Sequence, residues 1–270
     1  MKKKNSIMRS ISAAPHIVWS VMFIVLPLLI VLFYAFTDAE GNFSFENITS
    51  LTEYAPIFGL SIELSVIATF ICLVVGYPLA YIIAKAKPER QKLYIMLLML
   101  PMWTNLLIRT YSIMAILDDG GMLNSLLGTA MHIVGTKGAV IFGMVYDFLP
   151  YMVLPIYTCV SKIDKNMWEA AQDLGCSPVR VMTRVIFPLS MSGVISGVTM
   201  VLVPSISTFY ISQKLGGGSF DLIGDTIERQ FQNAVTYHTG AAISLVMMIL
   251  IFISLAVMNK FSDGGEDIIV

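Results

Sequence analysis

Asp147 is the one acidic residue set deep in a long apolar stretch of this chain, with Tyr146 and Pro150 flanking it and Tyr151 one helical turn along on its own face. A carboxylate is costly in an apolar medium, so its presence there points to a function or to a fixed partner. Beside aromatic faces it suits an alkylammonium group, through ion pairing and cation–π attraction. A helix–helix contact with Arg109 or with a second subunit explains the same residue, and the sequence leaves both readings open. Trp103 and Asn105 in one neighbouring apolar stretch, and Phe209 and Tyr210 at the end of another, are the other residues expected to line a path. Trp103 and Asn105 are two apart on an expected helix and point in different directions, so at most one of them touches a solute. For each aromatic the plainer role is a seat at a membrane–water interface, which Trp and Tyr favour.

Other chemistry is missing its parts. His16, His132 and His238 are scattered, and none stands in a pattern with a nucleophile, so no catalytic site is expected. The phosphate-binding pattern G-x-x-x-x-G-K-[ST] is absent; Gly216, Gly217 and Gly218 have no lysine behind them and read as a turn. Cys72, Cys159 and Cys176 are odd in number, lie in or beside apolar segments and lack metal-ligand spacing, so they read as packing residues and no metal is expected. The 18 methionines read as flexible filler of helix interfaces. A net charge of -1 gives no basic excess of the kind that binds nucleic acid.

What positions these residues is an all-α membrane protein. Of 270 residues 56% are hydrophobic and 13% charged, and the mean hydropathy is +0.77, which does not describe a water-soluble surface. A transmembrane helix needs about 20 mostly apolar residues. That length picks out six spans, at 17–36, 60–84, 93–117, 138–160, 189–211 and 241–259, with a transmembrane domain running over 60–259 and residues 1–16 preceding the first span. The first run lacks a small-residue cleavage site and is expected to stay as an anchor. Lys and Arg are retained in the cytoplasm near span ends. With the N-terminus inside, Lys137, Lys214 and Arg229 fall outside and Arg109 within a span, which leaves thirteen of the 17 basic residues on the cytoplasmic side. Both termini are therefore expected there. The loop from Thr37 to Gly59 is acidic and external, 118–137 is glycine-rich and ambiguous, and 212–240 is external with a helix expected around 223–231. The outer loops carry acids at Asp38, Glu40, Glu46, Glu53, Asp118, Asp119, Asp221, Asp225 and Glu228, a pattern that concentrates cations at an entrance.

Between the fourth and fifth spans, 161–188 reads as two short helices meeting at a turn. Asp164 is placed to cap the first, and Met167, Ala170, Ala171 and Leu174 recur at helical spacing. Gly175 supplies a left-handed stop, and Ser177-Pro178 supplies the cap and first-turn proline of the second helix. Two spans need only a few polar residues to connect them, so an amphipathic hairpin here should bind something. The alternative is a helix lying on lipid.

Glu169-Ala170-Ala171, three residues, Gly175, nine residues and Val185-Ile186-Phe187-Pro188 resemble the EAA loop of ABC importer permeases, EAA, three, G, nine, I-x-L-P. Val185 and Phe187 depart from the usual Ile and Leu but stay apolar. The resemblance implies a type I, MetI-like permease fold in which this loop is a cytoplasmic coupling helix docked on a separate ATPase. Glu169 would make polar contacts, Ala170 and Ala171 would permit close approach, Gly175 would set the hairpin angle, and Pro188 would join it to the fifth span. A narrower resemblance rests on LPMWTNLLIRTYSI at 100–113, GYPLAYIIAK at 76–85 and FYISQKLGGGSFDLIGDTIERQF at 209–231. These strings look like the first of the two permeases in spermidine/putrescine importers. That implies a PotC-like second permease, a PotA-like ATPase dimer that binds ATP and Mg, a PotD-like binding protein and a polyamine substrate, in the bacterial inner membrane. Permeases for sulfate, molybdate or ferric ion share the plan. An ion-coupled secondary transporter using Asp147 and Arg109, or a membrane scaffold, would leave the EAA spacing unexplained.

Overall fold

The computed structural model describes residues 14–38, 40–128, 131–164, 166–167, 171, 173, 175–233 and 235–266. Glu169 and Ala170 lie outside the described residues. Among those described the structure is helical, with one isolated bridge between Thr37 and Phe43. Four helices are long and apolar enough to cross a bilayer: α1 (Ala14–Ala35), the run Glu46–Lys85, Lys137–Val160 and Tyr237–Met258. Two bent pairs, Pro88–Trp103 with Leu106–Leu126 and Pro178–Leu189 with Met191–Ser207, bring the number to six when each counts as one span. In a bilayer the backbone must satisfy itself, and helices do so. The hydroxyls obey the same rule: Ser61, Thr69, Thr110 and Ser205 each donate to the carbonyl four residues back.

The chain divides into two compact units, Met1–Ala55 with Thr226–Leu250, and Pro56–Asp225 with Ile251–Val270. In the first unit, α1 presents Trp19, Phe23 and Phe33 outward, as a helix solvated by lipid can. A π-helical turn at Val21–Val25 precedes Pro27, whose ring and missing N–H displace the regular ladder. Ala35, Ala241, Ala242 and Leu245 form this unit's core, and small side chains there let the helices close up. Tyr237 stands edge-on to both Tyr34 and Phe231, with centroids 5.0 and 4.8 Å apart.

The second unit holds α2 (Ala55–Lys85), α3 (Pro88–Met99), α4 (Leu106–Leu117), α5 (Met122–Leu127), α6 (Lys137–Val160), α7 (Pro178–Leu189), α8 (Met191–Ser207) and α9 (Tyr210–Leu215). Two cores flank the length of α6. Towards Val160, Met152, Val153, Ile156 and Val160 pack with Cys72, Ile83 and Ala84 of α2, Val181 and Ile186 of α7 and Val194 and Val201 of α8. Towards Lys137, Ala139, Val140 and Met144 pack with Leu64, Ala68, Ile113, Leu117, Ile211, Leu215 and Leu222. Helices α6 and α8 approach closely because Gly193 and Gly197 sit four apart on one face of α8. A Cβ at Gly193 would lie 2.8 Å from the Pro155 carbonyl oxygen and 2.9 Å from Cys159, and one at Gly197 would lie 3.0 Å from the Met152 carbonyl oxygen.

Two stretches expected as continuous spans are not. Within 93–117 the helix tightens to a 3₁₀ turn at Leu100–Trp103, opens at Thr104 and Asn105, and restarts as α4 after a 92° bend. Within 189–211, α8 stops at Ser207, Thr208 is extended, and α9 begins at Tyr210. Local hydrogen bonding explains the first break. Thr104 Oγ1 donates to the Pro101 carbonyl, and Asn105 Oδ1 accepts from Leu107 N at 2.8 Å, an N-cap that starts a new helix.

Candidate functional site

The ends of the hairpin between α6 and α7 carry the caps that their residue types predict; of its expected apolar face Ala171 packs inward, Met167 is exposed, and Ala170 and Leu174 lie outside the described residues. Asp164 accepts from Asn166 N at 3.0 Å, the capping contact of a helix start. At the stop, Gly175 has φ +80°, and Cys176 N donates to the Ala171 carbonyl at 3.1 Å, so the six-residue closure of a glycine C-cap is present. Ser177 then accepts from Arg180 N, with Pro178 in the first turn of α7. Inside α7 a π-helical turn at Met182–Ile186 precedes Pro188, repeating the arrangement before Pro27. Pro188 itself is exposed, and α7 meets α8 at a 75° bend.

Contacts below the hairpin tie it to the bundle. Val181 and Ile186 are fully buried, and Ala171 and Cys176 pack against the same core. Tyr77 and Ser190 share a hydrogen bond of 2.9 Å, and the Tyr77 ring lies 5.2 Å from that of Phe187. Gln91 donates to the carbonyls of Ala84 and Ala86 and accepts from Tyr157 at 3.0 Å, joining the α2–α3 turn to α6. The other side of the hairpin offers Met167, Asp173, Val179, Arg180 and Arg184 to solvent.

The expected path residues are not gathered in one place. Asp147 is 2% exposed and Arg109 12%, and Arg109 Nε approaches Asp147 Oδ1 to 2.8 Å. The approach is off the hydrogen-bond axis: Arg109 Nε and Nη1 and both Asp147 oxygens are buried without a hydrogen-bonded partner among the described residues. The pair is therefore held by charge, which is strong in a medium of low dielectric. A cavity of about 690 Å³ adjoins it, with Thr104, Ile108, Arg109, Ser112, Phe142 and Tyr146 in its wall. Trp103, Asn105, Asp147, Tyr151, Phe209 and Tyr210 do not line that cavity. Trp103 is 74% exposed, Asn105 caps α4, and Tyr151 and Phe209 are exposed on α6 and before α9.

Tyr210 has company that the residue types did not announce. Its ring meets Tyr111 of α4 edge-on at 6.1 Å, and Lys214 Nζ stands 5.3 Å from the Tyr111 centroid and 5.7 Å from that of Tyr210. Tyr210 and Lys214 are four apart on one helix, a spacing that was legible; Tyr111 comes from another element and was not. The Gly193/Gly197 spacing is also legible in the sequence.

Solved structures share this architecture. The chain superposes on one from a bacterial ABC transporter involved in the import of the acidic polysaccharide alginate with a TM-score of 0.71, over 97% of this chain and 99% of that one at 16% identity. Against a chain of the inward-facing MetNI methionine ABC transporter the TM-score is 0.60, over 82% and 98% at 14% identity. At such identities the likeness establishes the fold, that of ABC transporter membrane subunits. Residues 76–265 match the binding-protein-dependent transport system inner membrane component, and the chain belongs to that family. It is 37% identical, over 94% of its own length and 95% of the relative's, to the spermidine/putrescine transport system permease protein PotB of Haemophilus influenzae.

Proposed function

We propose that this chain is one of two permease subunits of an ATP-driven importer of polyamines such as spermidine and putrescine. The observation that carries the reading is its similarity, along nearly the whole length, to a spermidine/putrescine permease. A PotC-like permease would complete the path, a PotA-like ATPase dimer would bind ATP and Mg, and a PotD-like protein would deliver substrate. Both termini and the hairpin face the cytoplasm, where most basic residues fall. Glu169, Ala170, Ala171, Gly175 and Pro188 belong to the surface that grips the ATPase. The capped hairpin, seated on a close-packed core, is a lever: closure of the ATPase dimer moves it and the spans move with it. Only a difference in binding between the two states can drive the exchange.

Substrate passes along Tyr151, Phe209, Tyr210 and one of Trp103 and Asn105, exposed or half-buried groups of the second unit. The cavity beside Arg109 presents a cation and is unsuited to a polycation. For Asp147 the ion pair favours a second reading, in which it holds α4 to α6 beyond the break at Thr104 and Asn105 and does not itself grip substrate.

Radiolabelled spermidine uptake by the reconstituted importer tests the substrate. Putrescine should compete, and sulfate and ferric ion should not; competition by either of the latter alone sinks the polyamine reading. Gly175→Pro tests the lever, because proline cannot adopt φ +80°. It should leave membrane insertion intact and abolish uptake and substrate-stimulated ATP hydrolysis. Normal uptake would remove the lever role.

A further inference from the structure

The Tyr111, Tyr210 and Lys214 cluster shares no residue with the hairpin or the buried ion pair. We propose that Tyr111 and Tyr210 form a binding site for an alkylammonium group and that Lys214 occupies it as a tethered competitor, to be displaced by the substrate's own ammonium. This rests on the polyamine reading and adds to it a specific site and a means of keeping that site weak.

The geometry carries it in three steps. First, the Lys214 ammonium lies within cation–π range of two ring faces at once, 5.3 and 5.7 Å from their centroids. The head of a protonated primary amine is chemically the same group, so a pocket that accepts one accepts the other. Second, the frame is fixed while the side chain is not. Ile211 and Leu215 are buried on either side, and Gly135 N donates to the Leu215 carbonyl at 2.8 Å, which anchors α9. Lys214 itself is half-buried on a four-carbon stem that can swing out, and the Tyr111 ring is 46% exposed. Third, a site along a transport path must bind weakly enough to release. A tethered ammonium competes at an effective concentration in the millimolar range, which lowers apparent affinity without removing a contact. While seated it also repels a second cation.

The test uses the assembled permease–ATPase complex in nanodiscs without its binding protein, with radiolabelled spermidine in equilibrium dialysis. Lys214→Met should tighten Kd by about three- to ten-fold, Lys214→Arg should stay near wild type, and Tyr111→Leu in the Lys214→Met background should lose the gain while Tyr111→Phe keeps it. Reductive methylation of Lys214 in the wild-type complex should rise when fully N-methylated spermidine, whose tertiary amines do not consume the formaldehyde, is added. A complex that imports spermidine but shows equal or weaker binding after Lys214→Met, or unchanged labelling, overturns the inference and leaves the polyamine reading standing. A wild-type complex that neither imports nor binds spermidine removes both.

Discussion

The two ends of α6 are built on opposite principles. Towards Val160 the packing is close, with Tyr157 hydrogen-bonded to Gln91, Tyr77 to Ser190, and two glycines of α8 pressed against α6. Towards Lys137 the helix meets a broken span, a charge pair without hydrogen-bond alignment, a cavity of about 690 Å³ and a lysine set over two tyrosine rings. Close packing transmits displacement, whereas groups with weak or exchangeable partners have more than one arrangement. On the proposed reading, one end would carry a push from the hairpin and the other would change what it holds.

The strongest blow to that contrast is Gly193→Leu. A side chain there meets the Pro155 carbonyl at 2.8 Å, and backbone cannot step aside as a flexible side chain would. A loss of at least about 3 kcal/mol is expected, read as loss of monodisperse protein on detergent extraction. Next comes the ion pair. Arg109→Met leaves Asp147 buried and alone, at a cost of about 3–5 kcal/mol, and Asp147→Asn strands Arg109 in turn. If the pair is a clamp, the double variant should recover thermal stability and uptake together; recovery of stability with uptake still lost would return Asp147 to the substrate path. The smallest effect should come from Asn105→Ala, which removes the cap that restarts α4. About 1 kcal/mol is expected, seen as a modest drop in melting temperature.

Much of this was legible along the chain. The hairpin is local: Asp164, Gly175, Ser177 and Pro178 act on backbone within a few residues, so their types state their roles, and the structure gives each its expected geometry. The break inside 93–117 was harder to see. Apolar content sustains a span of that length, while the bend depends on how Pro101, Thr104 and Asn105 compete for the same hydrogen bonds. Of the cluster of Tyr111, Tyr210 and Lys214 only the i, i+4 pair left a mark in the order of residues, because Tyr111 lies about a hundred positions from the other two.

From the amino-acid order alone came the all-helical architecture, the spans to be counted and the capped hairpin, since each follows from solvent preference or from hydrogen bonds within a turn. Only the folded arrangement decided the partner of Asp147, the seat of Lys214 and the tight crossing of α6 and α8. Those depend on which faces of distant helices come together, and packing settles that in three dimensions where periodicity in one cannot.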